Sequence, residues 1–206
     1  MSEPTVYLLD DDAEMLKALA RVLRAKGFKV CTFASAADFI ASERPDTPAC
    51  LVLDVAMPDI NGLDLHERLS REGILLPVIF LTGHGDIPMS VRAIKAGAVD
   101  FLTKPVDHAE LTRAVSHALA LSSAQKEKEA ELAGLVRRYE ELTPREREVF
   151  AHVITGKLNK QIAADLGTSE QTVKVHRMRI TAKLGVCSAV ELAEAARKLD
   201  VRPAQA

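Results

Sequence analysis

Short apolar runs alternate with helical periodicities through the first 121 residues. The runs "VYLL" (6–9), "FKVCTF" (28–33), "CLVL" (50–53), "PVIFL" (77–81) and "AVDFL" (98–102) carry few polar positions, as strands buried on both faces do. Between them, segments near 13–26, 35–43, 63–72, 87–96 and 107–121 repeat apolar positions at helical spacing. Five strand–helix repeats predict an α/β fold, a doubly wound five-stranded parallel sheet with helices on both faces. Such sheets bind ligands beyond the carboxyl ends of their strands, where strand order reverses.

The pattern changes at residue 122 to "SSAQKEKEAELAGLVRRYEEL", a charged helical stretch over 122–141. Counted in sevens from the preceding helix, Leu111, Ala118, Gln125, Leu132 and Tyr139 share one seam position. Ala114, Leu121, Lys128, Leu135 and Leu142 share the other. A seam apolar at its ends and polar in its middle predicts a helical linker, either simply solvated or able to pair with its own copy. Residues 142–206 then hold four short helices, an all-α unit. Thr143-Pro144-Arg145-Glu146 has the signature of a capping box with proline at the first helical position. Asn159 is expected to cap a second helix ended by Gly167, Ser169 a third closing at Gly185, and Ser188 a fourth.

Charge divides the chain in the same places. Lys+Arg against Asp+Glu is 12 to 17 over 1–121, 4 to 5 over 122–141 and 11 to 7 over 142–206, giving −5, −1 and +4. An acidic unit joined to a basic one predicts different partners, the second a polyanion. No apolar run approaches the roughly 20 residues that span a bilayer. The N-terminus lacks the basic region and cleavage site of a signal peptide. Cys31, Cys50 and Cys187 form no CxxC pair and suit a reducing compartment, so a cytoplasmic, non-membrane protein is expected.

Each of four strand ends carries a polar group: Asp10 and Asp11 after the first, Asp54 after the third, Thr82 after the fourth and Lys104 just past the fifth. Parallel strands bring these ends to one edge. Adjacent carboxylates raise one another's pKa unless a positive charge sits among them. A hard divalent cation such as Mg2+ suits Asp10, Asp11 and Asp54. Asp54 is then a nucleophile toward phosphorus, Lys104 and the metal neutralise the transferring oxygens, and Thr82 donates a hydrogen bond to the product. Asp12 is left to cap the first helix. An aspartyl-phosphate hydrolase would want DxDx[TV], and Asp54-Val55-Ala56-Met57 lacks its second acid.

In the basic unit "NKQIAADLG–TSEQTVKVHRMRITAKLG" reads as helix–turn–helix, with Ile162, Ala163, Leu166, Val173, Ile180 and Leu184 as its core. Gln171, Lys174, Val175 and Met178 form a separate outward stripe suited to major-groove base edges. Lys160, Thr172, Arg177, Arg179 and Lys183 surround it as candidate phosphate contacts.

"YLLDDD", "LVLDVAMPDINGLDL", "VIFLTGHGD" and "GAVDFLTKPVD" resemble the receiver domain of bacterial two-component response regulators, a flavodoxin-like fold, over residues 1–121. Residues 142–197 resemble the LuxR-type DNA-binding domain, and the combination resembles the FixJ/StyR-like branch. The resemblance implies a metal shell of Asp10, Asp11, Asp54 and the main-chain oxygen of Ala56. It further implies a phosphoacceptor at Asp54, a switch pair at Thr82 and Phe101, and a cis peptide before Pro105. Its implied partners are a sensor histidine kinase, double-stranded promoter DNA, RNA polymerase and a second copy of the chain. A receiver catalyses only its own phosphorylation and dephosphorylation. Met178 stands where relatives often carry a longer polar residue, so the resemblance carries over no base preference at that contact.

Overall fold

The computed structural model describes residues 3–83 and 97–204. The helix expected over 87–96, and His84, lie outside the described residues. The chain divides into two compact units, residues 1–127 and 128–206.

In the first unit, strands β1 (Thr5–Leu9), β2 (Lys29–Phe33), β3 (Ala49–Asp54), β4 (Val78–Thr82) and β5 (Asp100–Thr103) form one sheet in the order β2-β1-β3-β4-β5. Every pairing is parallel. Alternation along the strands divides the core between two faces. Val6, Leu8, Val52, Ile79 and Leu81 pack with Leu16, Leu19 and Leu23 of α1 (Ala13–Ala25) and with Leu111 and Val115 of α4 (His108–Glu140). Tyr7, Leu9, Leu51, Leu53 and Phe80 pack on the other side with Phe39 of α2 (Ala36–Ala41) and Leu65 and Leu69 of α3 (Gly62–Arg71). The strand order reverses between β1 and β3, so the crevice for a ligand opens where Asp10 and Asp54 stand.

Asp12 caps α1, its Oδ1 accepting from the Glu14 and Met15 amides at 2.9 and 3.1 Å. Residues 107–121 and the stretch after them form one continuous helix, because nothing between 121 and 133 is a proline or glycine. Ser122 Oγ accepts the Ala49 amide at 3.0 Å, and Lys126 pairs with Asp46. The first unit therefore holds this helix beyond residue 121.

That continuity corrects the seam. Leu111, Ala114 and Ala118 are buried in the core of the first unit, and Leu135 and Leu142 in that of the second, with Tyr139 packed against them. Only Leu121 and Leu132 of the apolar seam positions are exposed. Heptad spacing is shared by any helix with one buried stripe, and here two separate cores take most of it.

The second unit holds α5 (Pro144–Val153), α6 (Asn159–Asp165), α7 (Glu170–Leu184) and α8 (Ala189–Lys198). Val149, Phe150, Ile162, Val173, Ile180, Leu184 and Leu192 form its centre. Thr143 makes both bonds of the capping box with Glu146, and Ser169 and Ser188 accept from Thr172 and Glu191. Asn159 does not cap α6. Leu158 occupies the cap position, its amide donating to Gln161 Oε1 at 2.9 Å, while Asn159 Oδ1 accepts from Arg177 at 3.2 Å.

Candidate functional site

Three carboxylates converge at the C-terminal edge of the sheet. One oxygen each from Asp10, Asp11 and Asp54 lies within 4.8 Å of the other two. Asp10 and Asp54 are buried, whereas Asp11 is exposed. Lys104, just past β5, reaches between them, with its Nζ 2.7 Å from Asp10 Oδ2 and 3.2 Å from Asp54 Oδ1. The first contact is an aligned hydrogen bond; the second is a charge–charge contact without that alignment.

One ammonium does not offset three acids. Burial pushes the Asp10 carboxyl above its ordinary value, and the Asp54 charge adds to it. The Lys104 hydrogen bond and the Asp12 amide at 2.9 Å only partly offset that rise. Burial works against the Lys104 ammonium too, but Asp10 and then Asp54 outweigh it and hold its pKa above the usual lysine value. Hard oxygen donors at this separation, with a net negative remainder in a partly dry pocket, fit Mg2+.

Local geometry fixes the nucleophile candidate. Asp54 ends β3, and Val55 continues the register by donating to the Leu81 carbonyl at 2.9 Å. Gly62, at the start of α3, closes back on this strand with its amide 3.0 Å from the Val55 carbonyl. A Cβ at position 62 would lie 2.3 Å from the Asp54 carbonyl oxygen, so only glycine allows this approach. A single sequence carries no signal of this contact. Ala56 is exposed just beyond Asp54. Thr82 is buried at the end of β4, beside Thr103 of β5 in register. Phe101 is half-buried against the α2–α3 face of the core, and the Lys104–Pro105 peptide is cis.

The cysteines form no second centre. Burial pushes the Cys50 thiol up to about 12, which leaves it protonated and inert.

On α7, Gln171, Lys174 and Met178 are exposed and Val175 half-buried, while Val173 and Ile180 face the core. The stripe and the core thus separate onto two faces of one helix. Lys160 and Arg179 are exposed, and Thr172 and Arg177 half-buried. Lys183 is placed differently from the expectation: its Nζ donates to Glu146 Oε2 at 2.7 Å and to the Glu141 carbonyl at 2.9 Å. Sign and spacing on the helix identified its charge but not an internal acceptor for it.

The first unit matches the family described as response regulator receiver domain over residues 6–116. The second matches the bacterial regulatory proteins of the luxR family over 140–196. Among curated proteins, the response regulator protein TmoT of Ectopseudomonas mendocina is 44% identical, covering 96% of this chain and 90% of TmoT. The transcriptional regulatory protein FixJ of Azorhizobium caulinodans is 40% identical over 97% of this chain and 94% of its own. Among solved structures, the response regulator StyR superimposes with a TM-score of 0.84 at 42% identity, covering 96% of this chain and all of that one.

Proposed function

Because this chain belongs to the FixJ/StyR-like two-component response regulators, transcription regulators with a LuxR-type DNA-binding domain, we propose that phosphorylation of Asp54 controls how it reads DNA. The carrying observation is the convergence of Asp10, Asp11 and Asp54 around Lys104 at the switch point of the sheet. We assign residues 1–121 to the receiver, 122–141 to the linker and 142–206 to the DNA-binding domain.

The donor is a phosphohistidine on a sensor histidine kinase. An Asp54 carboxylate oxygen forms the new bond to phosphorus as the phosphorus–nitrogen bond breaks, and the imidazole leaves with a proton. Asp10, Asp11, Asp54 and the Ala56 carbonyl would hold Mg2+, which supplies charge neutralisation on the transferring oxygens. Lys104 contributes the protein's own positive charge at the same oxygens. Thr82 donates a hydrogen bond to the acyl phosphate, and Phe101 fills the space its movement vacates. Moving such an equilibrium from 1:99 to 99:1 takes about 5.5 kcal/mol of preference for one state.

The consequence is pairing of two copies on related half-sites of double-stranded promoter DNA, with RNA polymerase recruited for activation, in the cytoplasm. Among the described residues no helix is long and apolar enough to cross a membrane. Gln171, Lys174, Val175 and Met178 read base edges, and Lys160, Thr172, Arg177 and Arg179 hold phosphates.

Intact-mass analysis with Mg2+ and a small phosphodonor tests this. One phosphoryl adduct is expected on the native chain and none on Asp54→Asn, which should also lose phosphodonor-dependent DNA binding. An adduct retained by Asp54→Asn would place the acceptor elsewhere.

A further inference from the structure

Lys183 stands in the last turn of α7, the helix that carries the outward stripe. Three pieces of chain meet around its ammonium, two of them bonded to it directly. One is Glu146 in the first turn of α5, a carboxylate buried from solvent, 2.7 Å away. The second is Thr143, whose amide donates to the same Glu146 Oε2 at 2.9 Å and whose hydroxyl accepts the Glu146 amide at 3.2 Å. The third is the Glu141 carbonyl, 2.9 Å from Nζ and one residue past the end of α4. Carbonyls at a helix C-terminus have no partner within the helix, so an outside cation there satisfies an otherwise open acceptor.

A lysine has three donors, and two of these are committed. The third remains, but the two bonds hold the ammonium in place, and swinging it out to a DNA phosphate would leave the Glu146 carboxylate buried without a counter-charge, which is strongly unfavourable. Lys160, Lys174 and Arg179 face no such choice, being exposed. Farther up α7, Arg177 donates to Asn159 Oδ1 of α6 at 3.2 Å. The helix is thus tied at its middle to α6 and at its end to the junction of α4 and α5.

We propose that Lys183 is a positioning residue for DNA reading: it fixes the angle of α7 against the end of the linker helix and makes no phosphate contact. This rests on α7 being the recognition helix. Base-edge hydrogen bonds are directional, so a small tilt of α7 would cost specific contacts while sparing the diffuse attraction to phosphates. The device also joins the linker and the reading helix through one ammonium, so displacement of the Glu141 carbonyl would be felt at α7.

Binding isotherms across a salt series decide it, using a duplex selected by the native protein from a random pool and a scrambled duplex. The variants are Glu146→Gln, which leaves the lysine in place, and Lys183→Met with Glu146→Gln, which leaves no buried charge behind. Both are expected to lose about ten-fold in preference for the selected duplex, the worth of roughly one base contact, with the salt slope unchanged. Lys183→Arg, which keeps the charge and the donors, should restore most of the preference. A double variant that weakens equally on both duplexes and loses about one unit of salt slope would make Lys183 a phosphate contact and overturn the proposal. So would a Glu146→Gln variant that keeps its preference and gains affinity for scrambled DNA, or variants indistinguishable from the native chain. If the native chain selects no duplex, the recognition-helix reading itself falls, and this proposal with it.

Discussion

Two buried carboxylates in this chain meet a lysine at the same distance and respond in opposite directions. Asp10 and Glu146 are each 2% exposed, and each lies 2.7 Å from a lysine Nζ. Burial dominates at Asp10 and raises its pKa. At Glu146 burial also pushes upward, but Lys183 and the amide and hydroxyl of Thr143 outweigh it and leave the pKa lowered. The difference is in the neighbours. Lys104 is shared with Asp54, whose charge opposes ionisation of Asp10, whereas Lys183 shares its ammonium only with the neutral Glu141 carbonyl and Thr143 adds its own bonds to Glu146. A buried acid whose field is closed by the protein is a piece of architecture. One whose field is left open is a place for something to bind.

Adding Mg2+ should separate the two most clearly. At about 100 times its dissociation constant it should stabilise the receiver by roughly 2.7 kcal/mol. Calorimetry should show that unit's transition rising and the basic unit's unchanged; equal shifts would mean the cation acts non-specifically.

Acid is the next lever, and the sign differs between units. The lowered Glu146 contributes stability that is complete above its ordinary value of 4.5 and is lost as pH falls through its lowered folded value. The raised Asp10 works the other way, its folded state gaining relative stability as pH falls from its folded value toward 3.8. Hydrogen exchange carried from neutral pH to below pH 4.5 should therefore show α5 and the end of α7 loosening progressively as Glu146 takes up its proton. Glu146→Gln should flatten that dependence; an unaltered profile would assign it to another group.

The smallest effect tests the threonine. Thr143→Ala should cost the basic unit about 1 kcal/mol in urea unfolding and leave Mg2+ binding untouched. No loss would mean that the lysine alone closes the Glu146 field.

The five strands were legible because a sheet covered on both faces writes itself as apolar runs, and their polar ends announced Asp10, Asp54, Thr82 and Lys104 at one edge. Caps at Asp12, Thr143, Ser169 and Ser188 were legible because short polar side chains before an apolar period have little else to do. Asn159 misled: its neighbour Leu158 accomplishes the same end through its backbone and Gln161. The seam from Leu111 to Leu142 misled for a deeper reason. Periodicity reports that one face of a helix is apolar but not what covers it, and here the chain covers its own ends. Leu135, a natural choice for breaking self-association, would instead place a charge in a folded core. Lys183 belongs to the same class, since its sign could be read but its acceptor could not.

The packing of Gly62 on the Asp54 carbonyl has a consequence for variation at that position. In a library of every single substitution, selected for signalling, position 62 should tolerate as little as position 54 although its residue has no functional group. Tolerance alone would score the two as equals. Protein recovered from lysates would tell them apart, because most replacements at 62 should lower abundance, while conservative replacements at 54 should leave a full complement of silent protein.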